Sequence, residues 1–151
     1  MENREEKIPI GSLEVGQEFI FGVTVLSEKE IIDFAQRFDP LPFHTDPQVA
    51  AQSRFKGLVA SGPHLFMKIY KEHWVPCFGH SVAAGLEINH WKFIRPVFAG
   101  QQNHAKVVVK HLQANPEKQQ VVVTWHFAYA DEAGNPIQTA EMTVLHRTDD
   151  F

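Results

Sequence analysis

Ser61-Gly62-Pro63-His64-Leu65-Phe66-Met67-Lys68-Ile69-Tyr70-Lys71-Glu72-His73-Trp74 is the stretch that decides the fold. Residues 63–74 read as the longest apolar helix of the chain. Leu65, Phe66, Met67, Ile69, Tyr70 and Trp74 occupy most of its circumference. A helix that is apolar on nearly every side belongs in an interior, wrapped by other elements. Its start carries chemical interest. Ser61 stands where a cap would, and Gly62 lets a ligand come close to the backbone amides. Free amides at a helix start stabilise negative charge, including an oxyanion. The same pair also reads simply as a cap with a turn glycine, and the two readings are compatible.

What wraps the helix follows in the chain. Past residue 80 the pattern changes to alternation, and four long strands are expected over 83–93, 103–113, 119–130 and 137–147. Val107-Val108-Val109 and Val121-Val122-Val123 are β-branched runs of the kind found in buried strands. Residues 131–135 have the composition of a hairpin loop. Upstream, residues 17–26 alternate as a first strand. Ser27-Glu28-Lys29-Glu30 forms a capping box, followed by a helix expected to bury Ile31, Phe34, Ala35 and Phe38. The expected architecture is α+β, one antiparallel sheet curling around a central helix. Such a sheet has edges to protect, so dimerisation by strand pairing is expected.

Between the first helix and the central one lies Arg37-Phe38-Asp39-Pro40-Leu41-Pro42-Phe43-His44-Thr45-Asp46-Pro47. Pro40, Pro42 and Pro47 each fix φ and remove a donor, so regular helix is not expected here. A rigid loop thus carries a carboxylate, Asp39, and an imidazole, His44. Histidine titrates near neutrality and a carboxylate can orient or assist it, so the pair is a candidate acid/base couple. The bland alternative is a helix end and a proline turn with His44 packed and Asp39 solvated. Asp46 and Pro47 signal a further short helix that ends before Gly57.

Composition narrows the field. The chain has 151 residues, 44% of them hydrophobic and 21% charged, which suits one domain over 1–151 with residues 1–7 as a disordered lead. No apolar run approaches the roughly 20 residues that span a bilayer, and the charged start is unlike a signal peptide. A formal charge of −4 argues against nucleic acid as partner. The single Cys77 cannot form an internal disulfide and fits a reducing, cytoplasmic setting. Among the nine histidines, His64 and His73 lie nine apart on one helix, not at the spacing of a helical metal pair, so no metal site is expected.

Three segments together resemble the MaoC-like hydratase/dehydratase family, the (R)-specific enoyl-CoA hydratases of the hot-dog fold. Asp39 to His44 is similar to its D-x-N-P-x-H motif. Phe55-Lys56-Gly57-Leu58-Val59-Ala60-Ser61-Gly62 is similar to its F-x-x-x-[IV]-A-x-G stretch. Trp91-Lys92-Phe93-Ile94-Arg95-Pro96-Val97-Phe98-Ala99-Gly100 is similar to its F-x-R-P-V-x-x-G strand end. The resemblance implies a hydro-lyase that interconverts trans-2-enoyl and 3-hydroxyacyl thioesters. Asp39 and His44 would be catalytic, the Gly62 amide would hold the thioester oxygen, and Ser61 would border the site. Leu41, Phe43 and His64 are candidates for the pocket lining. The implied substrate is an acyl-CoA or acyl-carrier thioester. Coenzyme A enters only as part of that substrate, with no cofactor and no metal, and the implied assembly is a homodimer or higher homo-oligomer.

One position departs from the family pattern: its Asn is Leu41 here. That replacement supports a second reading, an acyl-thioester-binding protein with altered or lost activity. A third is a hot-dog thioesterase, which would place an acidic residue near the helix start. The only acidic residue on the helix is Glu72, far from that start.

Overall fold

The computed structural model describes residues 6–149. Of the expected lead, residues 1–5 lie outside the described residues, and Glu6 and Lys7 belong to no helix or strand. Five strands, β1 (Glu18–Thr24), β2 (Val82–Phe93), β3 (Asn103–Asn115), β4 (Gln120–Ala130) and β5 (Pro136–Arg147), form one sheet in the order β1-β3-β4-β5-β2. All neighbours are antiparallel. The expected strands are all present, most of them extended by a residue or two.

The central helix opens at Gly62 as α4 (Gly62–Ile69) and continues without interruption through a π-helical turn, Tyr70–Trp74, into α5 (Val75–Phe78). It is therefore longer than the expected 63–74, and its middle is wider than α-helix. Leu65, Phe66, Ile69, Trp74 and Phe78 are all buried. The sheet meets them with one phase of β4: Val121, Val123, Trp125, Phe127 and Tyr129. Phe66 packs edge-on to Phe127, and Trp74 edge-on to Trp125 at 5.6 Å. Each fully buried side chain of this size contributes about 1.5–3 kcal/mol. The sheet curls around the helix because both faces of that contact are apolar and only one face of the sheet is.

Before the core, α1 (Glu28–Phe38) starts at the expected capping box, with Ser27 and Glu30 each satisfying the other's amide. Ile31 and Ala35 are buried as expected, but Phe34 is only half-buried and Phe38 is 71% exposed. It lies in the last turn of α1, where the chain has already turned away from the core toward Asp39. The proline segment also differs from expectation. It contains a helical turn, α2 (Pro42–Thr45), because Pro42 falls at the first helical position, where a missing amide costs nothing. Then α3 (Pro47–Gln52) follows, capped by the Asp46 side chain.

One polar chain crosses the core. Trp125 donates its indole N–H to His146 Nε2 at 3.2 Å, so His146 carries its proton on Nδ1 and donates it to Ser81 Oγ at 2.8 Å. Ser81 in turn donates to the Phe78 carbonyl. His146 is 0% exposed, and burial first, then His80, pushes its pKa from 6.5 down to about 4. The folded state thus resists protonation while the unfolded chain accepts it. The resulting stability is fully present above pH 6.5 and is lost as pH falls toward 4, a change of up to about 3 kcal/mol. Urea unfolding at pH 7 and pH 4.5 should show this loss. His146→Gln, which does not titrate, should show a smaller difference between the two pH values.

Candidate active site

The rigid loop after α1 brings the candidate acid/base couple together. Asp39 closes α1, its amide bonded to the Ala35 carbonyl at 2.8 Å, and its own carbonyl accepts from the Leu41 amide at 2.7 Å. His44 sits in α2, with its ring buried and its Nδ1 2.6 Å from the Val59 carbonyl. A carbonyl only accepts, so Nδ1 bears the proton and donates. That leaves Nε2 facing Asp39 Oδ2 at 3.3 Å. The same Oδ2 accepts from Ser61 Oγ at 2.7 Å. Nε2 and Oδ2 form a direct hydrogen bond only when one of them carries a proton. Such a pair can exchange a proton with a water.

The Val59 backbone that fixes His44 is itself held on both sides. Its amide bonds to the Phe43 carbonyl at 3.2 Å, and the next amide, Ala60, bonds to the Val97 carbonyl at 2.9 Å. The helix start is held differently from expectation. Ser61 occupies the cap position of α4 but makes no side-chain cap, because its hydroxyl is committed to Asp39. Gly62 is the first helical residue, so its N–H has no carbonyl one turn earlier to bond. The following residue, Pro63, has no N–H at all.

Asp39, His44 and Gly62 line one cleft of about 410 Å³, together with Phe55, Phe93, Arg95 and Gln138 among others. On its other side Asp39 borders an apolar groove of about 520 Å³ formed with Phe34, Phe38, Ser61, Pro63 and Met67. The remaining candidates lie beside or behind the cleft rather than in its wall. Phe43 packs edge-on against His44 and tilted against Phe55. Leu41 is 46% exposed at the start of α2. His64 stacks on Phe34 with centroids 4.2 Å apart, and burial lowers its pKa.

An antiparallel sheet curled around one long helix, with the site at the helix start, defines the hot-dog class. Residues 12–128 match the family described as the MaoC like domain, so the chain belongs to the MaoC-like family. It is similar to YdeM of Bacillus subtilis, an uncharacterized protein, with 31% identity over 109 residues that cover 71% of this chain and 75% of that one. Its fold resembles an Archaeoglobus protein described as a monoamine oxidase regulatory protein, with a TM-score of 0.81, 26% identity, and 96% and 97% of the two chains covered. It also resembles an (R)-hydratase of A. caviae involved in PHA biosynthesis, with a TM-score of 0.70, 28% identity, and 88% and 96% covered. Family and neighbours support a hydratase/dehydratase role.

Among the residues of the cleft wall that sequence reading missed as site residues are Phe93 and Gln138. Phe93 falls within the third family-like segment, where it served only as pattern. Gln138 left a signal of its own. It shares a phase with Ala140, Met142 and Val144, all buried, and a polar side chain in an inward slot needs a partner.

Proposed function

We propose that the protein is a hydro-lyase adding water across the double bond of a trans-2-enoyl thioester, and removing it in reverse. The observation that carries this reading is an Asp39–His44 pair 3.3 Å apart, lining the same cleft as the unbonded N–H end of a buried helix. In this reading one water in the cleft hydrogen-bonds to both side chains. A proton leaves it for the base, its oxygen bonds to C3 of the enoyl group, and C2 takes up a proton, so that one H₂O adds to the double bond. Water is a poor nucleophile near neutral pH, and a positioned base contributes most there. As C3 is attacked, charge builds on the thioester oxygen, and the Gly62 amide donates to it. A donor of this kind is worth about 3 kcal/mol of barrier. The apolar groove beside Asp39 suits the acyl chain. The reading calls for no metal and no cofactor beyond the coenzyme A or carrier arm of the substrate.

Activity is compatible with Leu41 at this position. The bonds that fix the Asp39 loop run through the backbone of residue 41, its amide to Asp39 and its carbonyl from His44, and do not use its side chain. The edge strand β2 exposes Leu86, Ile88 and Phe93, which supports assembly as a homodimer through that edge. A cytoplasmic setting goes with an acyl-CoA substrate. The test is hydration of crotonyl-CoA, followed as loss of absorbance at the enoyl thioester band. Turnover to (R)-3-hydroxybutyryl-CoA is expected. Release of free coenzyme A instead would reassign the site to thioester hydrolysis, and binding without either product would reduce it to an acyl-thioester-binding protein.

A further inference from the structure

The start of the central helix has the features of a segment that should fray. Its first residue is glycine, the least conformationally restricted residue, and the serine before it gives its hydroxyl to Asp39 instead of the helix. Yet the proposed reaction needs the Gly62 amide to hold one direction. One polar side chain of the sheet hydrogen-bonds to this point. Gln138 on β5 is 2% exposed, and its Nε2 donates to the Gly62 carbonyl at 3.1 Å. Its Oε1 accepts from the Trp91 indole N–H on β2 at 2.9 Å. An indole N–H only donates and a carbonyl only accepts, so the orientation of the amide is fixed by its two neighbours. Trp91 is anchored in turn against Phe66 of the helix, with ring centroids 5.1 Å apart.

We propose that Gln138 is a positioning residue of this site: braced by Trp91, it clamps the Gly62 carbonyl and thereby aims the Gly62 amide at the thioester oxygen. Burying a primary amide has a cost that only both hydrogen bonds together offset, and Gln138 makes both while lining the cleft. The inference rests on the hydratase reading given above.

Because the amide acts on charge that develops in the transition state, loosening it lowers kcat more than it raises KM. Gln138→Met keeps the length and apolar stem but neither hydrogen bond. It should lower kcat about tenfold or more, with KM within about twofold of wild type. Gln138→Glu gives a readout that a purely structural role does not move. The ionised carboxylate faces the Gly62 carbonyl as a second acceptor, whereas the protonated acid has an O–H to donate to it. The rate of Gln138→Glu relative to wild type, taken at each pH because Asp39, His44 and Arg95 share the cleft, should rise as pH falls from 8 to 5.5. Trp91→Phe, which removes the brace alone, should lower kcat less than Gln138→Met. Wild-type turnover that Gln138→Met leaves unchanged overturns the inference alone, as does a flat ratio for Gln138→Glu. A wild-type protein without hydratase turnover overturns the reading of the site and the inference with it.

Discussion

Asp39→Asn is expected to lower the rate of crotonyl-CoA hydration by about 10³-fold while the protein keeps its fold, and His44→Ala to do the same. The two substitutions remove different halves of one function. Asparagine keeps an oxygen that can accept from Ser61 but cannot take a proton, so the couple across the 3.3 Å contact is lost with little change in packing. Alanine at 44 removes the nitrogen facing Asp39 and leaves the Val59 carbonyl without its donor. That orphaned carbonyl costs about 1–3 kcal/mol, which lowers the melting temperature but does not unfold a protein with a core of this size. Because the two groups act as a unit, the double variant should be hardly slower than either single one. Rates measured with circular dichroism on the same samples check this. A variant that folds and turns over at the wild-type rate removes its residue from the mechanism.

Gly62→Ala has the second largest expected effect, and the reason is steric. A methyl group built on Gly62 would lie 2.3 Å from one carbon of the Phe93 ring and 2.5 Å from the next. Nothing in the backbone of α4 forbids alanine at its first position, so the helix itself tolerates the change. The conflict falls on the ring, which is 56% exposed. Stability should therefore change little. Activity should not survive as well, since either the ring is displaced within the cleft or the amide end moves, and both misplace the thioester. A loss of about 10²-fold in kcat/KM is expected. Adding Phe93→Ala to Gly62→Ala should restore part of it, so that the two losses are strongly non-additive. Simple additivity would mean that the close approach of ring and helix start has no bearing on the chemistry.

The strands were legible because half-buried strands alternate. β4 shows this most clearly, with every second side chain from Val121 to Tyr129 buried. The buried helix was legible from its apolar girth, but its π-helical turn was not, since periodicity over five residues does not separate 3.6 from a wider repeat. Phe38 was misplaced for a related reason: the spacing of Ile31, Ala35 and Phe38 fits one stripe, and only the tertiary course of the chain takes its last member out of the core. In the site, the Asp39–His44 pair was visible because three prolines isolate it in sequence. The use of Ser61 was not. A serine before a glycine-led helix looks like a cap, and only the approach of Asp39 from 22 residues upstream redirects its hydroxyl. Gln138 is farther still, 76 residues from the carbonyl it holds, and no local pattern joins the two.

The geometry itself is most directly tested by a crystal structure of Asp39→Asn soaked with crotonyl-CoA. The thioester oxygen is expected about 3 Å from the Gly62 amide nitrogen, with C3 of the enoyl group facing His44 Nε2 across room for one water. A thioester bound elsewhere, or bound here with its oxygen turned away from the helix start, would contradict it.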